Sequence, residues 1–257
     1  MTPTDLRTMW RDRRQRERLY STPDYWDSKA KQFSGDSASM WPNPNLNQLY
    51  HEEQMRHLRH FVPAVKEFSI LDVGCGTGRI SRFLAACGAR VQGIDFSVKA
   101  TQTARGLTDG ANPAYRVQSV LCLEEREIYD VAVTTGSLVI ACKDEQDLRA
   151  ALDRVRQALK PAGKLIMLEP IHDGFLHRVL NLNFSRYCEI VRQSGFQIEE
   201  TRQMHFWPAW LFLAFIPWPG WFTRLGYGCG QKLMNLPGFS HMGDYKAMCA
   251  KVAAPST

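Results

Sequence analysis

Residues 70–78 read Ile-Leu-Asp-Val-Gly-Cys-Gly-Thr-Gly, an apolar run that breaks into three alternating glycines, Gly74, Gly76 and Gly78. A short apolar run closed by glycines predicts a strand entering a tight turn. Glycine takes positive φ without steric cost and lets the backbone approach a ligand closely. A second apolar run, Arg90-Val-Gln-Gly-Ile-Asp, ends on Asp95. An acid about 20 residues beyond such a turn is where nucleotide folds place the group that accepts ribose hydroxyls. The spacing is G-x-G-x-G and not the G-x-G-x-x-G of dinucleotide sites. Together the two runs predict a nucleoside site; a helix N-cap is the other role open to Asp95.

Outward from this turn the chain alternates. The patterns predict strands at 68–73, 89–94, 114–119, 129–134, 163–169 and 196–203, with helices at 77–87, 97–107, 145–159 and 184–194. Leu148, Leu152, Val155 and Leu159 recur at helical spacing, with Pro161 and Gly163 as stop signals. Residues 244–252 alternate like an edge strand. Alternating strands and helices predict a doubly wound, mostly parallel α/β sheet. Residues 1–65 read as a helical N-terminal extension and 66–257 as the main domain, which carries an aromatic insertion at 205–240.

The stretch LDVGCGTGRISRFLAACGARVQGIDFS resembles motif I and the following acidic loop of class I S-adenosylmethionine-dependent methyltransferases. ALKPAGKLIMLEP resembles that family's helix, turn and fifth strand, with YDVAVTT as a fourth strand between. The resemblance covers about residues 66–204 plus the last strand, and it implies a seven-stranded sheet whose final strand is antiparallel. It implies S-adenosylmethionine as cofactor. Gly74, Cys75 and Gly76 are expected under its methionine part, with Gly78 completing the loop and Asp72 organising it. Asp95 is expected on the ribose hydroxyls and Phe96 on the adenine face. The family often carries an acid for the adenine amino group after the third strand. This chain has Val117-Gln-Ser-Val-Leu there, so that contact falls to Ser119 or the backbone at Val120. Thr135 is expected beside the methyl donor.

Methyl transfer from a sulfonium is an in-line displacement, so alignment and exclusion of water carry most of the catalysis. A base is needed only for an acceptor that holds a proton. Leu168-Glu-Pro-Ile-His-Asp-Gly-Phe-Leu-His places Glu169, His172 and His177 after the fifth strand. His172 is the first candidate, because imidazole titrates near neutrality. A surface hydrogen-bonding role is its alternative.

Phe206–Phe222, FWPAWLFLAFIPWPGWF, has no charge and four of the seven tryptophans. Three prolines make a membrane span a poor reading. An apolar acceptor pocket, a membrane-interface contact and a self-packed flap all fit it. Trp210 and Phe215 are its candidate acceptor contacts. Tyr25, Trp26 and Trp41 are candidates from the N-terminal helices, as a lid or as anchors to the core. Residues 7–18 hold six arginines against Asp12 and Glu17. Such a run attracts anionic lipid or nucleic acid, or is a solvated helix face.

The 257 residues carry a net charge of +6, ordinary for one large globular unit. Seven cysteines form no C-x-x-C pair, and several sit in apolar runs, which suits a reducing compartment. The Arg-rich opening lacks the apolar segment of a signal peptide. A cytoplasmic location, possible membrane association and no metal are the expectations. Cys75 is expected to pack rather than react. The leading expectation is methylation of a small apolar or amphipathic acceptor of lipid, quinone or secondary-metabolite type. An RNA or protein methyltransferase is the second reading and a silent cofactor-binding module the third. Nucleic acid is disfavoured as a partner, because no RNA-binding module is appended.

Overall fold

The computed structural model describes residues 15, 19–32, 41–171, 180, 182–239 and 241–254. Among the described residues two helices come first, α1 (Pro23–Gln32) and α2 (Pro44–Phe61). The alternating core follows: β1 (Ser69–Val73), α3 (Arg79–Ala86), β2 (Arg90–Asp95), α4 (Val98–Gly106), β3 (Ala114–Val117) and β4 (Tyr129–Thr135). Next come α5 (Leu138–Ala141), α6 (Glu145–Ala158), β5 (Leu159–Glu169), α7 (Phe184–Gln193) and β6 (Phe196–Phe206). The chain closes with α8 (Trp207–Leu213), α9 (Gly220–Met234) and β7 (Gly243–Val252).

The strands form one sheet in the order β3-β2-β1-β4-β5-β7-β6, with β7 antiparallel to both neighbours. The doubly wound seven-stranded architecture is the expected one. The central strands β1 and β4 are buried on both faces, so they read as near-continuous apolar runs. Alternate residues serve opposite layers. Leu71, Ala132, Leu165 and Met167 face Leu148, Leu152 and Val155 of α6 and Ile190 of α7. Ile70, Val131, Val133, Ile166 and Leu168 face Leu58 and Phe61 of α2 and Ile80 and Leu84 of α3.

Three local readings change. β7 lies inside the sheet, between β5 and β6, and β6 is the edge. The alternation of β7 reads as an edge strand, yet Asp244 and Lys246 are both buried, and Lys246 Nζ donates to the Gly243 carbonyl at 3.2 Å. α6 ends at Ala158, and Leu159 already pairs with Tyr129 as the first residue of β5. The cause is Pro161, which disfavours helical backbone at Lys160 and ends the helix before the expected turn. β6 continues to Phe206, into the segment read as an insertion.

Within the N-terminal segment, α2 is part of the core. Asn43 caps α2 by accepting from the Leu46 amide at 3.3 Å, and its Nδ2 donates to the Leu213 carbonyl at 3.0 Å. One fully buried side chain thus both starts the helix and ties it to α8.

Candidate active site

Every parallel strand points its carboxyl end at the same rim, where open α/β sheets hold ligands. β1 delivers Gly74 and Gly76 there, at φ 68° and 54°. A Cβ on Gly74 would lie 2.3 Å from that of Ser137, so this glycine is required by packing. A Cβ on Gly76 would meet nothing within 4 Å, so this one borders open space. Gly78 is required by the Tyr115 hydroxyl, 2.3 Å from where its Cβ would stand.

Asp95 ends β2 at the edge of that space. Its Oδ2 accepts from the Gly76 amide at 2.9 Å and its Oδ1 from the Ser97 amide at 2.8 Å. Both oxygens keep a lone pair for a ligand hydroxyl. The N-cap of α4 is Ser97, so the capping role first open to Asp95 is taken. Phe96 is half-buried beside it. Ser119 accepts from the Leu121 amide at 3.3 Å and starts a short turn containing half-buried Val120. Thr135 ends β4 with its Oγ1 buried and unpartnered.

Asp72 is buried below the loop and accepts from Ser81 Oγ at 2.5 Å; burial raises its pKa to about 6. Burial, followed by the charges of Asp72 and Asp95, pushes the Cys75 thiol well up, so it stays neutral. It packs with Ala104 and Tyr115.

Asp27 had no signal in the sequence. It accepts from Ser97 Oγ and from the Lys99 amide (3.0 Å), docking α1 on the start of α4 beside Asp95. Tyr25 and Trp26 of α1 meet edge to face at 5.2 Å. Trp41, Trp210 and Phe215 form a different group, with ring centroids 4.9–6.2 Å apart, packed with Leu46 and Tyr50 of α2. Trp210 is buried, so this second group is a core and not a set of open acceptor contacts.

Glu169 does not stand at the mouth. It is fully buried and accepts from Thr134 Oγ1 at 2.6 Å and, at longer range, from the amides of Ser137, Leu138 and Val139. It holds the start of α5, and burial raises its pKa to about 7 against those four donors. His172 and His177 lie outside the described residues.

A buried polar cluster that the sequence did not reveal lies under the same rim. His205, last but one in β6, is fully buried at φ 58°. Its Nδ1 lies 2.8 Å from the Tyr227 hydroxyl and 3.1 Å from Glu53 Oε2. Tyr227 and Gln231 donate to that same oxygen. The imidazole stacks on Tyr50 at 3.6 Å and meets Tyr245 edge-on at 5.4 Å. Tyr50 donates to Asp244 Oδ2 at 3.3 Å. Nearby, Arg79 donates to Gln54 Oε1 at 2.8 Å, and burial with Arg79 beside it lowers the His51 pKa to about 4.

A glycine loop open at Gly76, a carboxylate at the end of β2 and this strand order define the class I S-adenosylmethionine-dependent methyltransferase fold. Residues 70–163 match the sequence model of a family described as a methyltransferase domain. The ubiquinone biosynthesis O-methyltransferase of Xanthomonas axonopodis pv. citri (strain 306) is 29% identical over 54% of this chain and 66% of its own. That of Xylella fastidiosa (strain 9a5c) is 26% identical over 72% and 84%. The chain thus spans just under two thirds of the first relative. Among solved structures, the [4+2]-cyclase SpnF matches with TM-score 0.64 at 18% identity, over 92% of this chain and 96% of SpnF. Magnesium protoporphyrin IX methyltransferase from Synechocystis PCC 6803, with its S-adenosylmethionine, matches with TM-score 0.57 at 16% identity, over 97% and 98%. Residues 70–163 thus match a methyltransferase domain, and the sheet around them has the fold that these methyltransferases share.

Proposed function

We propose that this protein transfers a methyl group from S-adenosylmethionine to a hydroxyl of a small, largely apolar acceptor of quinone-precursor type, working against a membrane surface. The cofactor supplies an electrophilic methyl on a good leaving group. Gly74–Gly76, Asp95 and Phe96 hold it, with Ser119 and Val120 toward the base and Thr135 toward the methyl. α1 lies over the ribose side. The protein's work is alignment of acceptor and methyl in a dry cleft.

One observation carries the acceptor class and the membrane contact. α8, α9 and the loop between them leave Leu211, Phe212, Ile216, Trp221 and Leu225 exposed, Trp221 at 71%. Phe212, Trp218, Phe222 and Trp221 join their rings into a continuous apolar face. No Asp or Glu occurs from Thr201 to Gly243, while exposed Arg224 and Lys232 flank the face. An apolar aromatic surface with a basic rim suits an anionic bilayer interface. No helix among the described residues is long and apolar enough to cross a membrane. The names of the relatives support a hydroxyl acceptor of quinone type.

The test is transfer of tritiated methyl from S-adenosylmethionine to a catechol bearing a short isoprenoid chain, alone and on anionic vesicles. Label in the organic phase, increased by vesicles, is the expected outcome. Label confined to RNA, protein or water-soluble products would overturn the proposal.

A further inference from the structure

We propose that His205 is the general base that takes the acceptor's hydroxyl proton, with Glu53 and Tyr227 as its positioning residues. This rests on the hydroxyl-acceptor reading. Tyr227 donates its proton to Glu53, so its oxygen is an acceptor toward the imidazole. Glu53 Oε2 faces the same nitrogen. Nδ1 must therefore carry the hydrogen, which leaves a lone pair on Nε2. That nitrogen is buried and has no partner, a condition a purely structural histidine would avoid.

The backbone adds a second observation. A non-glycine residue at φ 58° is strained, and the surrounding contacts must hold it there. Tyr50 clamps the ring plane by face-to-face stacking. Position supplies a third. β6 runs parallel to β5, so His205 reaches the same rim as the glycine loop. Tyr245, edge-on to the imidazole, brings its hydroxyl 3.2 Å from where a Cβ of Gly136 would stand, linking His205 to the loop after β4.

The step balances simply. The acceptor O–H bond breaks and its proton goes to Nε2. The oxygen forms a bond to the methyl carbon while the carbon–sulfur bond breaks with its electron pair left on sulfur. The imidazolium is held by Glu53 and returns its proton to solvent as product leaves. Tyr50 and Glu53 from α2, Tyr227 from α9 and Tyr245 from β7 face the ring; Asp244 of β7 accepts from Tyr50, and His57 approaches Glu53 at 3.7 Å.

His205→Asn suits the left-handed backbone. With the 257-residue chain and the prenylated catechol, this variant is expected to lose at least about 100-fold in kcat. Its affinity for S-adenosylmethionine should hold, and the limb of the pH profile that reports the base should vanish. 4-Nitrocatechol, largely ionised at pH 9, should restore most of the rate. Glu53→Gln should lower kcat less and move that limb. An unchanged profile, or equal losses on both acceptors, would overturn the assignment. Wild-type protein offers a check free of variants: acceptor added with S-adenosylhomocysteine should shift the His205 Nε2 resonance in 15N NMR. An unmoved resonance overturns the base. Wild type that binds cofactor but labels no hydroxyl acceptor overturns the function reading and the base with it. Labelling undiminished in His205→Asn overturns the base alone.

Discussion

Gly74 and Gly76 share a left-handed backbone for different reasons, and substitution separates them. Gly74→Ala drives a methyl into Ser137 and should lower the melting temperature. Gly76→Ala points into open space, so its main expected loss is in cofactor affinity, read by calorimetry. Asp95→Ala should fold and lose roughly ten- to a hundredfold in cofactor affinity, the worth of a charge-assisted hydrogen bond. Unchanged affinity would sink the ribose role. Glu169 makes a prediction about pH. Its folded pKa of about 7 lies above the 4.5 of a free carboxyl, so the folded state holds a proton that the unfolded chain releases between those values. Stability should therefore fall as pH rises through that window. Relative to wild type, Glu169→Gln should gain up to about 3 kcal/mol between pH 4.5 and 7, read by urea unfolding. At this scale the glycines and Asp95 were legible in the sequence because their chemistry is local. Glu53 and Tyr227 were not, since they meet from 174 residues apart, and no spacing rule joins them.

Elements were legible wherever period and burial agree. β1, β2 and β4 read as strands because both of their faces are buried. β7 was misplaced because two buried polar side chains, Asp244 and Lys246, imitate a wet face. α8 looked like an acceptor wall. Its inner side instead packs Trp210 against Trp41 and Phe215, and only its outer side is open. Trp210→Ala should accordingly cost about 3–5 kcal/mol in unfolding free energy, as a core aromatic does. A stability loss below about 1 kcal/mol would return Trp210 to the acceptor candidates. α1 hangs on Asp27. Asp27→Ala should free that helix, seen as faster amide exchange over 23–32 with the rest of the sheet unchanged.

Across the whole molecule, one rim gathers the glycine loop, Asp95 with α1 docked beside it and the His205 cluster, while α8 and α9 leave an apolar face exposed. Trp221→Ser with Phe212→Ser should abolish flotation with anionic vesicles and leave melting temperature within a degree or two. Loss of folding in that variant would mean the face is packed and not free. The sequence told of the aromatic run but not of which residues stay bare, because three-dimensional packing alone divides Trp210 from Trp221. The place of α2 has a further consequence for how such a protein can diversify. Leu58 and Phe61 close the sheet's hydrophobic layer, while Tyr50 and Glu53, on the same helix, meet His205. With His205 in its proposed role, a lineage adopting a new acceptor would have to alter the very helix that completes this hydrophobic layer. Changes of preference should then arrive together with compensating stabilising substitutions elsewhere, and variants selected for a new acceptor should melt early until those accumulate.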